Sequence, residues 1–190
     1  MIRELQSSET GMALELAWRV FLTFEAPDYS PEGVAEFRRS LDDSDFVARL
    51  RFFGAWEADR LIGVLSTRNN GGHIALFFVD EAYQRQGIGR SLFTHASLLN
   101  PYNRMTVNAS PYAVPVYQRL GFVKTMPEQV TNGLRYTPMT LSISRADTLC
   151  PCGADCTACE RYSVQCAGCA TIRGKVWWTE YTKHDVCPIY

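Results

Sequence analysis

Residues 79–93, VDEAYQRQGIGRSLF, place two glycines among hydrogen-bonding side chains, between an apolar strand and an apolar helix. The N–H groups of such a loop and the dipole of the following helix converge on one point, where they stabilise an anion. Gly87 and Gly89 leave the backbone open to a phosphate, and Arg85 and Arg90 carry charges that would neutralise it. The loop therefore predicts a phosphate-binding site. A glycine-rich helix start without a ligand is the alternative.

Two other phosphate-binding loops do not fit these residues. A dinucleotide-binding fingerprint would need a third glycine, where the chain has Leu92, and a βαβ unit that continues to an acidic residue. A P-loop would need a lysine and then Ser or Thr after its second glycine, and that lysine is absent. Both interpretations are rejected.

The composition of the chain limits the classes of partner. Its 190 residues are 46% hydrophobic and carry a net charge of −1, as in a globular protein with one domain and room for a small appendage. The lack of basic character disfavours a nucleic-acid partner, whose phosphates would need neutralisation. The N-terminus, MIRELQSSET, has no apolar segment typical of a signal peptide. The longest apolar run, residues 74–79, is too short to cross a bilayer. We therefore expect a cytoplasmic protein without a membrane partner.

Helices and strands alternate around the loop. Apolar residues at helical spacing predict helices near residues 8–24, 87–99 and 113–120, and another that begins at Ser30-Pro31. NNGG at 69–72 predicts a hairpin turn. Strands are expected near residues 1–6, 51–57, 61–67, 73–80, 104–108, 122–125 and 134–143. This alternation predicts an α/β or α+β domain.

Two segments in this setting resemble the motifs of the GCN5-related N-acetyltransferase (GNAT) superfamily. QRQGIG, residues 84–89, resembles that family's Q/R-x-x-G-x-G/A signature, and Val-Asp precedes it as is usual there. NASPYAVPVYQRLGFVKT resembles the second motif, in which a strand ending in an asparagine is followed by a short helix with a tyrosine and then Gly-Phe. The order of elements matches through about residue 143, roughly three quarters of the chain. The resemblance implies a mixed, mostly antiparallel central sheet flanked by helices.

The same resemblance implies that the loop binds the pyrophosphate of acetyl-CoA. Backbone groups near Phe78 and Val79 would pair with the pantetheine arm, and the Val79 N–H would polarise the thioester carbonyl. Asn108 would order the end of its strand and the bound pantetheine. The cofactor-binding residues implied in this way are Phe78, Val79, Gln84, Arg85, Gln86, Gly87, Ile88, Gly89, Arg90 and Asn108.

Acyl transfer from a thioester to an amine needs a neutral amine, a held carbonyl and a proton for the departing thiolate. By resemblance, Tyr117 occupies the position of the general acid. A phenol has an unperturbed pKa of about 10, so it stays protonated at neutral pH. A tyrosine that only fills the core is the alternative, and Tyr112 is a weaker candidate for the acid.

The general base is less clearly indicated. Many relatives use a glutamate on the fourth strand, but here that strand reads HIALFFVD and contains none. Glu25 is the preferred candidate, because members of the family line the acceptor pocket with the loop between the first two helices. Of the polar residues at the ends of the strand, Asp80 is expected to be structural and His73 exposed. Further candidates are Asp28, Tyr29 and Glu128.

The cysteines divide the chain, because all seven lie between Cys150 and Cys187. This segregation predicts an acetyltransferase domain over residues 1–145 and a cysteine-rich tail over residues 146–190. The tail resembles short bacterial cysteine-rich domains of unknown function. Two C-x2-C pairs predict a tetrathiolate zinc site, whose ligands would be Cys156, Cys159, Cys166 and Cys169. A different ligand set and thiols without metal stay open, because four further candidates remain: Cys150, Cys152, Cys187 and His184.

Together these patterns predict an enzyme that transfers an acetyl group from acetyl-CoA to a primary amine of a small molecule or a protein. Transfer would occur by direct attack in a ternary complex. A catalytically weak coenzyme A-binding sensor or adaptor, with the tail as its contact surface, is the alternative, and the missing strand glutamate keeps it open. No pattern specifies the acceptor or the oligomeric state.

Overall fold

Helices and strands alternate in the computed structural model, which describes residues 1–143. The strands are β1 Ile2–Glu4, β2 Arg51–Glu57, β3 Arg60–Arg68, β4 His73–Val79, β5 Arg104–Ala109, β6 Val123–Lys124, β7 Gln129–Thr131 and β8 Leu134–Ser142. The helices are α1 Thr10–Phe24, α2 Pro31–Asp42, α3 Ser44–Val47, α4 Ile88–Leu98 and α5 Val114–Arg119. Residues Met1–Ser142 form one unit. The cysteine-rich tail and its four predicted zinc ligands lie outside the described residues, so the domain boundary stays a prediction.

The strands form one mixed sheet in the order β1-β2-β3-β4-β5-β8-β6, and β7 pairs with β8. Neighbouring strands are antiparallel except for β4 and β5, which are parallel. The mixed and mostly antiparallel sheet that the motifs imply is therefore confirmed.

Helices cover both faces of the sheet. On one face, α1 and α2 pack their apolar side chains against β2, β3 and β4 in a buried cluster that comprises Ala13, Leu16, Ala17, Val20, Phe21, Leu41, Phe52, Trp56, Leu61, Val64, Leu76 and Phe78. On the other face, α4 buries Leu92, Phe93 and Ala96. Gly63 of β3 lets α4 approach closely, because a Cβ there would lie 3.0 Å from Leu92 Cδ1.

The sheet opens between β4 and β5. These two strands pair only at His73–Thr106 and Ile74–Val107, whereas β5 stays paired with β8 as far as Ala109. The register between β3 and β4 shifts at the same point, so that Ala75 is an extra residue on β4. Such a bulge bends the strand that carries it. Beyond Ile74 the two parallel strands therefore separate, and a gap forms in the middle of the sheet.

The backbone of β4 that faces this gap follows from strand geometry. The Asp80 N–H donates to Ile62 O of β3, and successive N–H groups of a strand point to opposite sides. The N–H groups of Val79 and Phe77 therefore point away from β3 and into the gap. The N–H group of Phe78 points to β3, where Phe78 is paired with Val64.

The predicted elements are confirmed apart from two short ones and the positions of some ends. The first helix begins at Thr10, after a 3-10 turn at Ser7–Glu9, and β1 ends at Glu4. Helix α3, whose start is capped by the Asp43 carboxylate, was not predicted. Strand β7, which a turn at Asn132 and Gly133 joins to β8, was not predicted either. Asn-Gly is a strong hairpin signal, so the sequence did contain the information for β7.

Candidate active site

Asp80, directly after β4, fixes the start of the glycine-containing loop. It is 6% exposed and accepts hydrogen bonds from Arg19 Nη2 at 2.7 Å and Arg60 Nη2 at 3.0 Å. It also accepts one from the Ala82 N–H at 3.2 Å. Because the Asp80 carboxylate accepts three hydrogen bonds, it stabilises the start of the loop. This agrees with the structural role expected for Asp80.

Two glutamine side chains hold the loop from within. Gln84 Nε2 donates to Val79 O at 3.0 Å, and Gln86 Nε2 donates to Ala82 O at 2.9 Å. Both amides therefore shape the loop itself. With the loop folded in this way, the backbone N–H groups of residues 85–90 have no acceptor within the described part of the chain. Successive unpaired N–H groups around left-handed residues form a concavity that binds anions, and Arg85 and Gly87 have φ of 61° and 85°.

The surroundings of the two glycines fit a phosphate-bearing ligand. A Cβ on Gly87 would meet no atom within 4 Å, so the space beside it is open. A Cβ on Gly89 would lie 3.3 Å from Phe77 Cζ, so this glycine allows α4 to start close to β4. The side chains of Arg85 and Arg90 are exposed beside the loop. Unpaired N–H groups, open space and two cations are the features that the pyrophosphate of acetyl-CoA requires.

A cavity of about 290 Å³ occupies the gap between β4 and β5. One wall is β4 itself, with residues 73–78 along it, and the opposite wall is formed by Val107, Asn108 and α5. The segment between α1 and α2 and the hairpin of β7 and β8 close the rest. This cavity brings the predicted base Glu25 and the predicted acid Tyr117 into one site.

Glu25 lies at the end of α1, where it is partly buried. Burial raises the pKa of its carboxyl group to about 7; a hydrogen bond with Ser110 acts in the opposite direction, and the charge of Asp28 raises it further. A carboxyl group with this pKa exchanges protons near neutral pH, as a general base requires.

Tyr117 of α5 is buried, and its ring packs against Phe77 at 6.0 Å and Phe122 at 5.3 Å between centroids. Burial and the charge of Glu25 both raise the pKa of its phenol above the ordinary value. The phenol therefore stays protonated at neutral pH. Tyr112 is 41% exposed, packs against Phe24, and is not among the residues that line the cavity in the described part of the chain.

The other candidate bases are exposed or make contacts outside this site. Glu128 is exposed and forms an ion pair with Arg135. The Tyr29 hydroxyl donates to Arg135 O at 2.8 Å, and Asp28 is exposed. Glu25 is therefore the acidic group that the structure places best.

His73 was expected to be exposed, and this is wrong. It is partly buried and lines the cavity, because the β3–β4 hairpin folds it against β5. Burial, and secondly the charge of Arg68, lower the pKa of its imidazole to about 4. His73 is therefore neutral at physiological pH and a weak base.

Three residues that line this site were missed from the sequence. Ser110 hydrogen-bonds with Glu25, Phe77 directs its N–H into the gap, and Arg68 lines the cavity. Phe78, which the sequence analysis chose instead of Phe77, directs its backbone to β3 and contributes only its side chain to the cavity wall. The hydrogen bond from the Asp80 N–H to Ile62 O, together with strand alternation, distinguishes Phe77 from Phe78. No local signal marks Ser110 or Arg68.

Residues 25–143, more than half of the chain, match the sequence model of the family described as acetyltransferase (GNAT) domain. The chain therefore belongs to the GNAT acetyltransferase family. No curated protein matches it in sequence.

Solved structures with a similar fold include a GCN5-related N-acetyltransferase from Rhodopseudomonas palustris, with 22% identity, a TM-score of 0.66, and coverage of 75% of this chain and 95% of that one. The PaiA N-acetyltransferase of Thermoplasma acidophilum, solved with coenzyme A, has 18% identity, a TM-score of 0.58, and coverage of 75% and 98%. The IAA acetyltransferase of Bacillus cereus has 19% identity, a TM-score of 0.52, and coverage of 75% and 99%. At these identities the likeness concerns the fold.

None of the helices in residues 1–143 is long and apolar enough to span a membrane. No cluster of His, Cys, Asp and Glu side chains with metal-binding geometry occurs in the same range.

Proposed function

We propose that this protein is an acetyl-CoA-dependent N-acetyltransferase that acetylates a primary amine by direct attack in a ternary complex. The observation that carries the proposal is the position of Glu25 and Tyr117 in one cavity, beside a strand whose free N–H groups face the same gap. Membership of the GNAT family is consistent with acetyl-CoA as the donor.

The residues of the loop would hold the donor. Backbone N–H groups of residues 85–90 and the charges of Arg85 and Arg90 would bind its pyrophosphate. The N–H groups of Phe77 and Val79 would pair with the pantetheine arm or the thioester carbonyl in the gap. Bound there, acetyl-CoA supplies the acetyl group as an activated thioester.

Glu25 and Tyr117 would move the protons. The Glu25 carboxylate accepts a proton from the amine as it attacks, directly or through water, and its pKa of about 7 leaves a large share ionised at neutral pH. Tyr117, whose phenol stays protonated, donates a proton to the departing thiolate. The Ser110 hydroxyl acts to lower the pKa of Glu25 and would orient its carboxylate.

The alternative of a coenzyme A-binding adaptor is not favoured. It depended on the absence of a glutamate from β4, and Glu25 occupies the same cavity from the end of α1. Binding of coenzyme A alone does not require a carboxyl group with a pKa of about 7 beside a buried phenol, whereas proton transfer during catalysis does.

Release of coenzyme A thiol tests this function. Purified protein is mixed with acetyl-CoA and a panel of primary amines, and the pH dependence of kcat/KM is measured for the best acceptor. We expect an acidic limb near pH 7 in the wild-type protein, below which Glu25 is protonated and inactive. Glu25→Gln should lower kcat by at least about 10²-fold and remove this limb. A protein that binds acetyl-CoA and accelerates release with none of the amines would contradict the proposal.

The tail proposals rest on the sequence alone. We propose a zinc ion held by Cys156, Cys159, Cys166 and Cys169, since about forty residues seldom bury enough apolar surface to fold unaided. Truncation after Ser144 should leave acetyl-CoA binding intact, and metal analysis of the full chain should give about one zinc per chain. Seven freely titratable thiols without zinc would reject the metal site. The cytoplasmic location also stays a prediction.

A further inference from the structure

Arg68 is a cation in the cavity that has no counter-ion among residues 1–143. It is the last residue of β3, lines the cavity and is partly buried. Its Nε atom is buried and has no hydrogen-bond partner among the described residues. The other arginines of residues 1–143 that are not exposed, Arg3 and Arg135, pair with Glu9 and Glu128. A partly buried guanidinium without a carboxylate is unfavourable unless a ligand supplies the missing charge.

A chain of hydrogen bonds fixes the position of this guanidinium. Arginine can only donate, so in the 3.3 Å contact of Arg68 Nη2 with His73 Nε2 the imidazole nitrogen accepts. The other ring nitrogen then carries the proton and donates to Thr106 Oγ1 at 2.9 Å. Thr106 Oγ1 donates in turn to Gly72 O at 3.1 Å.

His73 does not neutralise Arg68. Burial and the neighbouring guanidinium hold the pKa of the imidazole near 4, so the ring is uncharged. It occupies one N–H of Nη2, and the Nη1 group has no acceptor among residues 1–143. The free donors of a guanidinium form a planar fork that matches the two oxygens of a carboxylate.

The other charged side chains that line the cavity form ion pairs or have a proposed catalytic role. Glu36 contacts Arg39 and accepts from Asn132 Nδ2. Arg135 pairs with Glu128. Glu25 faces Tyr117 and is the proposed base. Among the described residues, Arg68 is therefore the charged side chain of this cavity that is available to bind a ligand.

The position of Arg68 assigns it to the acceptor. His73, its neighbour, starts β4 at the closed end of the gap, where β4 and β5 still pair. It lies six residues, or about 20 Å, from Val79 and the loop of the donor end. A cavity of about 290 Å³ in total is suited to a small acceptor.

We propose that Arg68 binds the carboxylate of the acceptor, so that the substrate is an amino acid or another small amine that carries a carboxylate. This inference rests on the proposed function, because Glu25 must receive a proton from the amine of the same molecule. It names a class of substrate that the family alone does not specify.

The test compares matched acceptors in the full-length protein. Each of the twenty amino acids is assayed beside its carboxamide, with kcat/KM measured from release of coenzyme A thiol. The wild-type protein should prefer the acid of the best pair by about 10- to 100-fold, the range expected for a charge-assisted pair of hydrogen bonds. The carboxamide has the larger fraction of neutral amine, so this preference cannot come from the amine.

Variants at two arginines separate charge recognition from structure. Arg68→Met should abolish the preference for the acid and leave the KM for acetyl-CoA unchanged, whereas Arg68→Lys, which keeps the charge without the fork, should retain part of it. Arg135→Gln is the matched control, because this arginine lines the same cavity but is paired with Glu128; it should keep the preference. Thermal unfolding verifies that each variant is folded. If Arg68→Met does not fold, the inference is judged from the acid-to-carboxamide preference of the wild type and of Arg68→Lys.

Binding provides a readout that does not depend on turnover. The amino acids and carboxamides are titrated calorimetrically into the complex with coenzyme A. Acids that bind through Arg68 without being acetylated would support this site and contradict the proposed function. Equal use of acids and carboxamides by the wild-type protein, an undiminished preference in Arg68→Met, or no binding of any acid would overturn the inference, even if other amines are acetylated.

Discussion

The two ends of the gap between β4 and β5, where we propose that the donor and the acceptor bind, are built in different ways. At the donor end, residues 84–90 present backbone N–H groups, and their own side chains shape the loop. At the acceptor end, side chains from the end of α1, the β3–β4 hairpin and α5 meet around one cavity. The donor end is built within a single segment of about seven residues, while the acceptor end is assembled from segments far apart in the sequence.

This difference explains why one end is suited to a ligand common to many enzymes and the other to a ligand that varies. A backbone cradle recognises a phosphate whatever the neighbouring side chains are, so it suits a donor shared by many enzymes. Side chains such as Arg68 and Glu25 can be exchanged singly without altering the sheet, so they suit an acceptor that differs from one enzyme to another.

The largest effect is expected at the donor end, from Gly87→Asp. A Cβ there meets open space, so the carboxylate would lie where the pyrophosphate binds. Repulsion of roughly 3 kcal/mol at about 5 Å corresponds to a loss of acetyl-CoA affinity of at least about 10²-fold in calorimetry. Gly87→Asn has the same shape without the charge and tolerates the positive φ, so it should bind at least tenfold more tightly than the Asp variant. Equal affinities in the two variants would show that the phosphates lie elsewhere.

The next effect is expected where the two ends meet, from Tyr117→Phe. The ring keeps its packing against Phe77 and Phe122, but the proton donor is lost. We expect kcat to fall by about 10²-fold with little change in the KM for acetyl-CoA, as measured in steady-state kinetics. Tyr112→Phe is the control and should behave as the wild type. Wild-type turnover in Tyr117→Phe would return this residue to a packing role.

A stability measurement sharpens the contrast at the acceptor end. The pKa of Glu25 is raised to about 7 in the folded state, against about 4.3 in an unfolded chain. The folded state therefore binds the extra proton between these values, and stability is lost as the pH rises through that window. Glu25→Gln removes the loss, so at pH 8 it should be more stable than the wild type, by up to about 3 kcal/mol in denaturant unfolding.

Two comparisons check this result for Glu25→Gln. The gain in stability should vanish near pH 4, where the wild-type carboxyl group is protonated in both states. Glu15→Gln, the same change at an exposed position of α1, should alter stability by less than about 0.5 kcal/mol. A destabilised Glu25→Gln at pH 8 would mean that the carboxylate is held by favourable contacts and is not a strained base.

The smallest effect is expected from Ser110→Ala. The hydrogen bond from Ser110 lowers the pKa of Glu25, so its loss should move the acidic limb of the pH profile to higher pH. The plateau of kcat/KM should change by less than about threefold, because the base itself is kept. The profile of kcat/KM from pH 5 to 9 measures both quantities. A limb that moves to lower pH, or stays in place, would rule out the positioning role of Ser110.

The fold and the donor end were largely predictable because their determinants are local. Helix period, hairpin turns and the glycines of the loop can each be read within a window of a few residues. Even β7, which was missed, carries an Asn-Gly turn at residues 132–133. The phase of β4, which directs the N–H of Phe77 and not that of Phe78 into the gap, follows from one hydrogen bond, from Asp80 N to Ile62 O.

The properties of the residues at the acceptor end were harder to predict, because they depend on tertiary contacts. Glu25 and Tyr117 were predicted from the family's motif and loop positions, but the raised pKa of Glu25 requires burial and the neighbours Ser110 and Asp28, which no spacing reveals. His73 looks like a surface histidine beside a turn, and it is buried only because β5 returns parallel to β4.

The sequence by itself determined the elements, their order and the glycine-containing loop, because each arises from interactions between residues near one another in the chain. The tertiary structure alone decided that Arg68 has no counter-ion among residues 1–143, that His73 stays neutral beside it, and that both line the cavity of Glu25 and Tyr117. Charge, burial and pairing depend on every group within a few ångströms, and in this site those groups come from segments about forty residues apart.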